Sequence, residues 1–400
     1  MTTAPSKVVA APRRLLFISH SREVGGAEVY LENLLRYLAE TETEHHWRPQ
    51  LVCRRDAALD GWAAEISKSC AVFRLDVVRP RDALRLATLV RLAELVHLNL
   101  SFPAGKYQFA AASITQMFGR PLVVTHHLAL KVSVPWRWAM GWLGHAARRH
   151  IAVSERSRKV LVLEFGYPLE RVVVVHNGID TDRFRPAAGA ARHALRQEVG
   201  ESLDGPEWGE EVLLACTVAR LSPQKGLFEL VEATSLVVKD VPAARVVVIG
   251  EGDLRGPLVD QVKALGLDHC FFLAGSMPRQ RVAEWLAAAD LFILPSHYEG
   301  GPATALMEAM ACGCAVVTTD VSGVDELITD ETLGIVVPPR DPKALAAATV
   351  DLLTDPSKRA AMAERARRKV IADFTIDVCL RRTMAVFDAA LAEDHARAPG

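Results

Sequence analysis

Two basic residues and two glutamates follow apolar runs in the second half of the chain. Arg220 and Lys225 lie in ARLSPQKG, after the run VLLACTVA, and Glu299 and Glu308 lie in PSHYEGGPATALMEAMACG, after the run LFILP. Cations beside the free N–H groups of a helix N-terminus bind phosphate groups. A carboxylate can accept hydrogen bonds from both hydroxyls of a ribose. These residues therefore indicate a nucleoside-diphosphate site, although solvated loop cations and a glutamate at a helix dipole would give the same pattern.

Two glycine pairs stand at positions where backbone amides can approach a phosphate. One pair lies between the first apolar run and the first helical segment, and the other pair directly follows Glu299; they are Gly25 and Gly26, and Gly300 and Gly301. Glycine permits such an approach because it has no Cβ atom. A tight turn without a ligand is the alternative for Gly25 and Gly26.

Two histidines end the apolar run PLVVTH. His126 and His127 are expected to face the same ligand cleft from the end of this strand. A purely structural role for either histidine is the alternative, because buried histidines commonly stabilise a core through hydrogen bonds.

These candidates sit on a regular alternation of apolar strands and amphipathic helices. In the second half, the apolar runs are 212–219, 245–250, 270–275, 291–295, 315–319 and 334–338. In the first half they are 14–20, 49–54, 71–75, 94–100, 121–126, 150–154 and 171–177, and the segment 27–40 has the spacing of a helix with one buried face. Continuous apolar strands between helices predict parallel sheets covered on both faces. The expected fold class is α/β, with two Rossmann-like, doubly wound parallel-sheet domains that face a cleft.

The length of the chain supports two domains. Four hundred residues exceed what a single hydrophobic core usually serves. We predict a first domain at 1–185, a nucleotide-binding domain at 186–375, and a C-terminal helix and tail at 376–400 that pack on the first domain. The segment 186–211 is rich in Ala, Gly, Glu and Arg and is predicted to be the linker. Ligands of such folds bind beyond the carboxyl ends of the strands.

Charge, cysteines and apolar runs indicate the partners and the location of the protein. The formal net charge is -1, which argues against nucleic acid as a partner. The seven cysteines are scattered and suggest neither a disulfide framework nor a zinc site. We find no secretory signal and no run long enough to span a bilayer. A reduced, cytoplasmic protein is the expectation.

Three further segments are given no functional role. GEGDLRG (250–256) is one residue longer than the dinucleotide fingerprint, which argues against an NAD-dependent dehydrogenase. DTD (180–182) follows a turn, and we expect no metal site there. The helical segment 134–150 contains three tryptophans, which we expect to pack against their own domain, with peripheral contact to lipid as the alternative.

Six segments, taken in order, resemble the retaining glycosyltransferases of family four, also called glycosyl transferases group 1, which have the GT-B architecture. The segments are GGAE, HNGIDTDRFRP, VARLSPQKG, VIGEGDLRGPL, the EGG…EAMACG segment, and SGVDELI followed by LGIVVPPRDP. The resemblance implies that Arg220 and Lys225 bind the donor diphosphate and stabilise the leaving nucleotide. It implies that Glu308 holds the ribose hydroxyls and that Glu299 lies near the donor sugar.

The resemblance also assigns roles in the first half of the chain. Gly25 and Gly26 match the glycine loop beneath the diphosphate. His127 resembles the histidine beside the reacting face of the sugar, and His126 stays open as its alternative. One departure from the family pattern concerns the glutamates, because eight residues separate Glu299 from Glu308 where the family usually has seven.

The expected activity is transfer of a hexose-type sugar from a UDP- or GDP-sugar donor, with retention of configuration. The acceptor is a polysaccharide, a lipid-linked intermediate or a natural-product intermediate, and neither a cofactor nor a metal ion is expected. The alternatives are a sugar-nucleotide epimerase or a phosphorylase on the same fold, and a non-catalytic subunit that binds nucleotide sugars.

Overall fold

The chain folds into two compact α/β units. The computed structural model describes residues 13–41, 47–101, 104–129, 132–187, 189–201, 211–299 and 303–397. The first unit comprises Met1–His176 and Cys379–Gly400, and the second comprises Asn177–Val378. The C-terminal helix begins in the second unit and continues in the first.

The first unit is built on a seven-stranded sheet. Its strands are β1 (Arg13–Ser19), β2 (Trp47–Cys53), β3 (Ala71–Arg74), β4 (Leu95–Leu100), β5 (Leu122–His126), β6 (Arg149–Ala152) and β7 (Val172–Val174). Their order is β3-β2-β1-β4-β5-β6-β7, and every neighbouring pair is parallel. In the register of the central strands, Ile18 lies opposite Val52 on one side and Leu98 on the other.

Helices connect these strands. In the described part of this unit they are α1 (Gly26–Glu40), α2 (Asp60–Ile66), α3 (Pro80–Leu92), α4 (Lys106–Met117), α5 (Val134–Ala146) and α6 (Glu155–Phe165). Strand β1 shows why the sheet is covered on both faces. Leu16 and Ile18 pack into one core cluster, whereas the ring of Phe17 lies 6.2 Å from that of Phe387 in the C-terminal helix. The continuous apolar runs predicted this double burial.

The second unit repeats the plan with a six-stranded sheet. Its strands are β8 (Leu213–Val218), β9 (Ala244–Ile249), β10 (Phe271–Gly275), β11 (Leu291–Leu294), β12 (Ala315–Thr319) and β13 (Ile335–Val337). They are parallel and lie in the order β10-β9-β8-β11-β12-β13. The prediction of two parallel-sheet α/β domains is therefore confirmed.

The helices of the second unit cover both faces of this sheet. Among the described residues they are α7 (Gly189–Glu201), α8 (Leu227–Asp240), α9 (Arg255–Ala264), α10 (Arg279–Ala288), α11 (Thr304–Ala311), α12 (Val324–Leu327), α13 (Pro342–Thr354), α14 (Pro356–Asp373) and the start of α15 (Ile376–Arg397). Leu214 and Phe292 belong to the core cluster on one face, and Ala215 and Ile293 belong to the cluster on the other.

The prediction of a linker at 186–211 is wrong for helix α7. Its Val199 is buried, and its Leu195 packs against the core of the second unit. The helix is also fixed by ion pairs from Arg192 and Arg196 to the buried carboxylate of Asp290. Val199 and Leu195 are too few apolar residues to give a readable period, and the ion pairs of the two arginines leave no periodic signal.

The expectation that the three tryptophans of α5 pack against their own domain is only partly correct. Trp136 stacks on Phe109 of α4 with ring centroids 5.9 Å apart. Trp142 also lies near Phe109, with ring centroids 6.2 Å apart. Trp136 and Trp142 nevertheless keep 43% and 44% of their surface exposed, and Trp138 keeps 80%.

Three further findings concern the cysteines, the helices and possible metal sites. All seven cysteines are free, and six are buried. Within the residues that the structure describes, no helix is long and apolar enough to cross a membrane. Among the same residues, no group of three or more His, Cys, Asp or Glu side chains is placed to hold a metal ion.

Candidate active site

The second sheet has a topological switch point between β8 and β11. The chain leaves β8 towards β9 on one side, and it leaves β11 towards β12 on the other. The two loops therefore diverge at the carboxyl edge and leave a crevice, which is where ligands of doubly wound sheets bind. The loop after β8 carries Arg220 and Lys225, and the loop after β11 carries Glu299.

Lys225 and Glu299 meet in this crevice. The Nζ atom of Lys225 donates to Oε1 of Glu299 over 2.5 Å, and the Oγ atom of Ser296 donates to the same oxygen over 2.7 Å. The lysine side chain is 18% exposed and the glutamate side chain 10%. Thr319, at the end of β12, donates to the carbonyl of Ser296. The ion pair is thus largely shielded from water, and its glutamate is held in one orientation.

Gly226 brings the two loops together. It has a φ of +61° at the start of α8, and a Cβ atom there would lie 1.9 Å from the carbonyl oxygen of Pro295. The N–H of His297 also donates to the carbonyl of Gln224 over 2.8 Å. A left-handed backbone in contact with a neighbouring main chain requires glycine. The final glycine of ARLSPQKG is therefore a structural requirement for the pair of Lys225 and Glu299.

Arg220 lies on the exposed side of the same loop. Its side chain forms no hydrogen bond or ion pair with a described residue. The main chain around it is fixed by the GEG segment, because Leu221 donates to the carbonyl of Glu251 over 3.0 Å. Gly250 lies so close that a Cβ atom would be 1.9 Å from the carbonyl oxygen of Ala219. The segment that failed as a dinucleotide fingerprint thus positions the Arg220 loop, a role that the sequence analysis missed.

Glu308 lies on α11 and is paired separately. Only 6% of the residue is exposed, and its carboxylate forms an ion pair with the guanidinium of Arg279. Burial raises the pKa of Glu308, while the positive charges of Arg279 and Arg183 act in the opposite direction. The structure therefore brings Lys225 and Glu299 into contact, whereas Glu308 contacts Arg279, a residue that the sequence analysis did not single out. Gly300 and Gly301 lie outside the described residues, as does Pro302.

The first sheet has its own switch point, between β1 and β4, and Glu28 occupies it. Its Oε1 atom accepts hydrogen bonds from three serine hydroxyls, and its Oε2 atom accepts from the N–H of Gly25 over 3.1 Å. The serines are Ser19, Ser21 and Ser101. The amide of Gly25, predicted to face a phosphate, is thus directed to its own helix, and Gly26 is exposed at the first position of α1. The GGAE motif contained the signal for Glu28, which the sequence analysis left without a role.

His127 follows β5 and is held by Asn99. The side-chain N–H of Asn99 donates to the carbonyl of Ala27 over 3.1 Å, so its Oδ1 atom faces Nε2 of His127 at 2.9 Å. An oxygen acceptor requires the proton on Nε2. Burial lowers the pKa of His127 to about 3, so the ring is neutral near pH 7. Nδ1 is then an acceptor, and it has no partner among the described residues.

His126 has a different environment from His127. It is buried, and its Nε2 atom lies 3.2 Å from Nδ1 of His150. Its ring also meets that of Tyr167 edge-on, with centroids 5.5 Å apart. Successive residues of a strand point to opposite faces. The expectation that both histidines face one cleft is therefore wrong for His126, which belongs to a buried network.

Comparison with known proteins shows the family of the chain. The model of the family described as Glycosyl transferases group 1 matches residues 201–369, and that of Glycosyltransferase Family 4 matches residues 24–183. The alpha-D-kanosaminyltransferase of Streptomyces kanamyceticus is 30% identical over 72% of this chain and 75% of its own length. The chain belongs to the group 1 glycosyltransferases.

Two further similar proteins differ in identity and in coverage. The D-inositol 3-phosphate glycosyltransferase of Kineococcus radiotolerans is 35% identical over 56% of the chain, and the match spans about half of that relative, 53% of its length. HepE of Anabaena, whose crystal structure contains UDP, has a TM-score of 0.80 at 21% identity, covering 94% of this chain and 100% of HepE. This similarity supports the GT-B fold.

Proposed function

We propose that this group 1 glycosyltransferase moves a hexose-type sugar from a UDP- or GDP-sugar to an acceptor hydroxyl, with retention of configuration and without a divalent metal. The observation that carries the proposal is the shielded pair of Lys225 and Glu299 at the switch point, with the exposed Arg220 on the same loop. The UDP in the HepE structure supports a nucleotide-sugar donor.

The chemistry follows from where negative charge develops. As the bond between the sugar and the diphosphate breaks, the leaving diphosphate gains charge and the sugar acquires oxocarbenium character. Lys225 and Arg220 are proposed to stabilise that charge, because preorganised cations act most strongly when the charge appears. The contact with Glu299 keeps the Lys225 ammonium in place before the donor arrives.

The acidic residues are proposed to position the donor. Lys225 and Ser296 both donate to Oε1 of Glu299, which leaves Oε2 without a described partner and able to accept from a sugar hydroxyl. Glu308 is proposed to bind the ribose diol. Its Arg279 partner favours the ionised carboxylate, which opposes the effect of burial on its pKa.

His127 is proposed as a residue that contacts the reacting sugar. Its neutral ring offers Nδ1 as a hydrogen-bond acceptor, and Asn99 fixes the ring orientation. Gly25 and Gly26 keep their proposed place beside the diphosphate, with the amide of Gly26 as the donor, since Gly25 donates to Glu28.

The decisive experiment replaces Lys225. We expect Lys225→Ala to lower kcat by roughly 10²-fold, by analogy with lost oxyanion donors. Lys239→Ala, at an exposed lysine in α8, is the matched control and should keep wild-type activity. Wild-type turnover by Lys225→Ala would refute the proposed role of Lys225 and with it the proposal.

Binding measurements and product analysis test which substrates the enzyme uses. Ligands that bind the native state raise its melting temperature, so UDP, GDP and their sugars are first compared in a thermal-shift panel. The relatives' name makes D-inositol 3-phosphate the first acceptor to test. The anomeric configuration of the product, read by NMR, tests retention; an inverted product would refute that part of the proposal.

A further inference from the structure

Helices α3, α4, α5 and α6 form one layer on the first unit. They follow consecutive strands, from β3 to β6, and each packs against the next. Right-handed crossovers in one direction place such helices side by side on the same face of the sheet. We call the solvent-facing side of these four helices the helical face.

The helical face is strongly basic. The four helices contain eight Lys or Arg residues and three Asp or Glu residues, although the whole chain has a net charge of -1. Two of the three acidic residues are compensated by a cation. Asp82 is buried and paired with Arg55, and Glu155 is paired with Arg158. The eight cations are Arg81, Arg85, Arg91, Lys106, Arg137, Arg156, Arg158 and Lys159.

The same face exposes large apolar side chains on each helix. Trp138 and Met117 are each 80% exposed, Leu163 is 78% exposed and Leu84 is 71% exposed. Trp142 lies one turn after Trp138 on the same side of α5, with 44% exposure. Burying a tryptophan or leucine is strongly favourable, so side chains this exposed mark an interaction surface.

We infer that the helical face docks on the surface of an anionic lipid bilayer. Tryptophan prefers the boundary between headgroups and acyl chains, because its ring is apolar and its N–H is polar. Cations interleaved with these side chains are attracted to anionic headgroups. The apolar residues are distributed as one to three per helix over four helices, whereas a protein partner usually buries a compact central cluster.

This docking mode is compatible with the site in the first unit. Glu28 and His127 lie in the loops and helix start at the carboxyl edge of the sheet, not on the outer side of the four helices. The inference does not depend on the proposed donor or acceptor, since it rests on exposure and charge alone.

The test is co-sedimentation of the full chain with vesicles. One set contains phosphatidylcholine alone, and the other contains roughly one third phosphatidylglycerol. We expect binding to the anionic vesicles, weaker binding to the neutral ones, and loss of binding as salt rises to about 0.5 M. No sedimentation with anionic vesicles at low salt, or equal binding to both sets, would overturn the inference.

Two double variants separate the apolar and the charged contributions. Trp138→Ala with Trp142→Ala should weaken binding by at least about tenfold, and Arg81→Glu with Arg85→Glu should weaken binding to anionic vesicles by a similar factor. The matched control changes an exposed cation and an exposed leucine of the second unit, Lys263→Glu with Leu265→Ala, and should bind as wild type.

A measurement on the unmodified protein guards against a folding defect in the variants. Brominated lipids should quench the tryptophan fluorescence of the wild-type chain, and the Trp138→Ala and Trp142→Ala variant should lose most of that quenching. Wild-type binding by this variant would overturn the contact of Trp138 and Trp142 with the bilayer. Retention on heparin with no response to anionic vesicles would indicate an acidic macromolecule instead and would refute docking on lipid.

Discussion

Acidification is expected to destabilise the first unit, because five of its histidines stay neutral well below the pH at which a free histidine titrates. Burial lowers the pKa of His20 to about 4. Burial lowers the pKa values of His97, His127 and His150 to about 3. The pKa of His126 is also well below 6.5, through burial and the neighbouring His150. His126 and His150 contact each other, and His97 is hydrogen-bonded to Thr125.

The sign and size of the effect follow from proton linkage. In the unfolded chain each histidine binds a proton near pH 6.5, whereas the folded unit excludes that proton until much lower pH. Stability is therefore fully present above about pH 6.5 and is lost as the pH falls towards the folded pKa values. Between about pH 7.5 and about pH 5.5 each histidine accounts for about 1.4 kcal/mol, so five account for roughly 7 kcal/mol. That loss is comparable with the whole stability of many domains, about 5 to 15 kcal/mol.

The assay is urea denaturation of the full chain at several pH values between these limits. Far-UV circular dichroism gives the unfolding midpoint, and amide hydrogen exchange read by mass spectrometry assigns the opening to peptides of either unit. Peptides from β4, β5 and β6 should lose protection with falling pH before those of the second sheet.

Matched variants test the cause. His97→Gln should reduce the pH dependence by about a fifth, because one of the five titrating sites is removed. His269→Gln, at an exposed histidine of the second unit, should leave the pH dependence unchanged. A stability of the first unit that does not change from about pH 7.5 to about pH 5.5 would refute the reasoning.

Three further outcomes are expected. Gly226→Ala should lower the free energy of unfolding by at least about 2 kcal/mol, because alanine strains a positive φ and meets Pro295; an unchanged urea midpoint would contradict the loop contact. Glu28→Gln should cost about 1–3 kcal/mol, because an amide oxygen and N–H replace a carboxylate that accepts four hydrogen bonds; thermal denaturation checks this, and an unaltered Tm would argue against the network. EDTA should leave sugar transfer intact, and activity that returned only on adding a divalent metal would disprove metal independence.

Much of the fold could be predicted because its signals are local. Each strand of both sheets appears in the sequence as a short apolar run, and each run depends only on neighbouring residues. Helix α7 was missed because the contacts that hold it are not local. Arg192 and Arg196 hold it through Asp290, about a hundred positions further along, and no local period reports such a contact.

The sequence singled out residues of the candidate site but not the contacts between them. It placed Lys225 and Glu299 after apolar strands without showing that they meet. It also gave no indication that Arg279 pairs with Glu308. The role of Glu28 also depends on Ser101, which lies on the neighbouring strand β4. Each of these contacts requires the order of the strands, which local patterns do not contain.

The amino-acid sequence by itself determined the alternation of strands and helices and the residues that leave each strand at its carboxyl end. Only the tertiary structure decided that β8 lies beside β11, so that Lys225 meets Glu299. It also decided that Trp138 keeps 80% of its surface exposed, whereas Trp136 stacks on Phe109 and keeps 43%. The physical reason is that hydrophobic periodicity shows which face of an element is apolar, whereas the burial of each side chain on that face depends on which distant element packs over it.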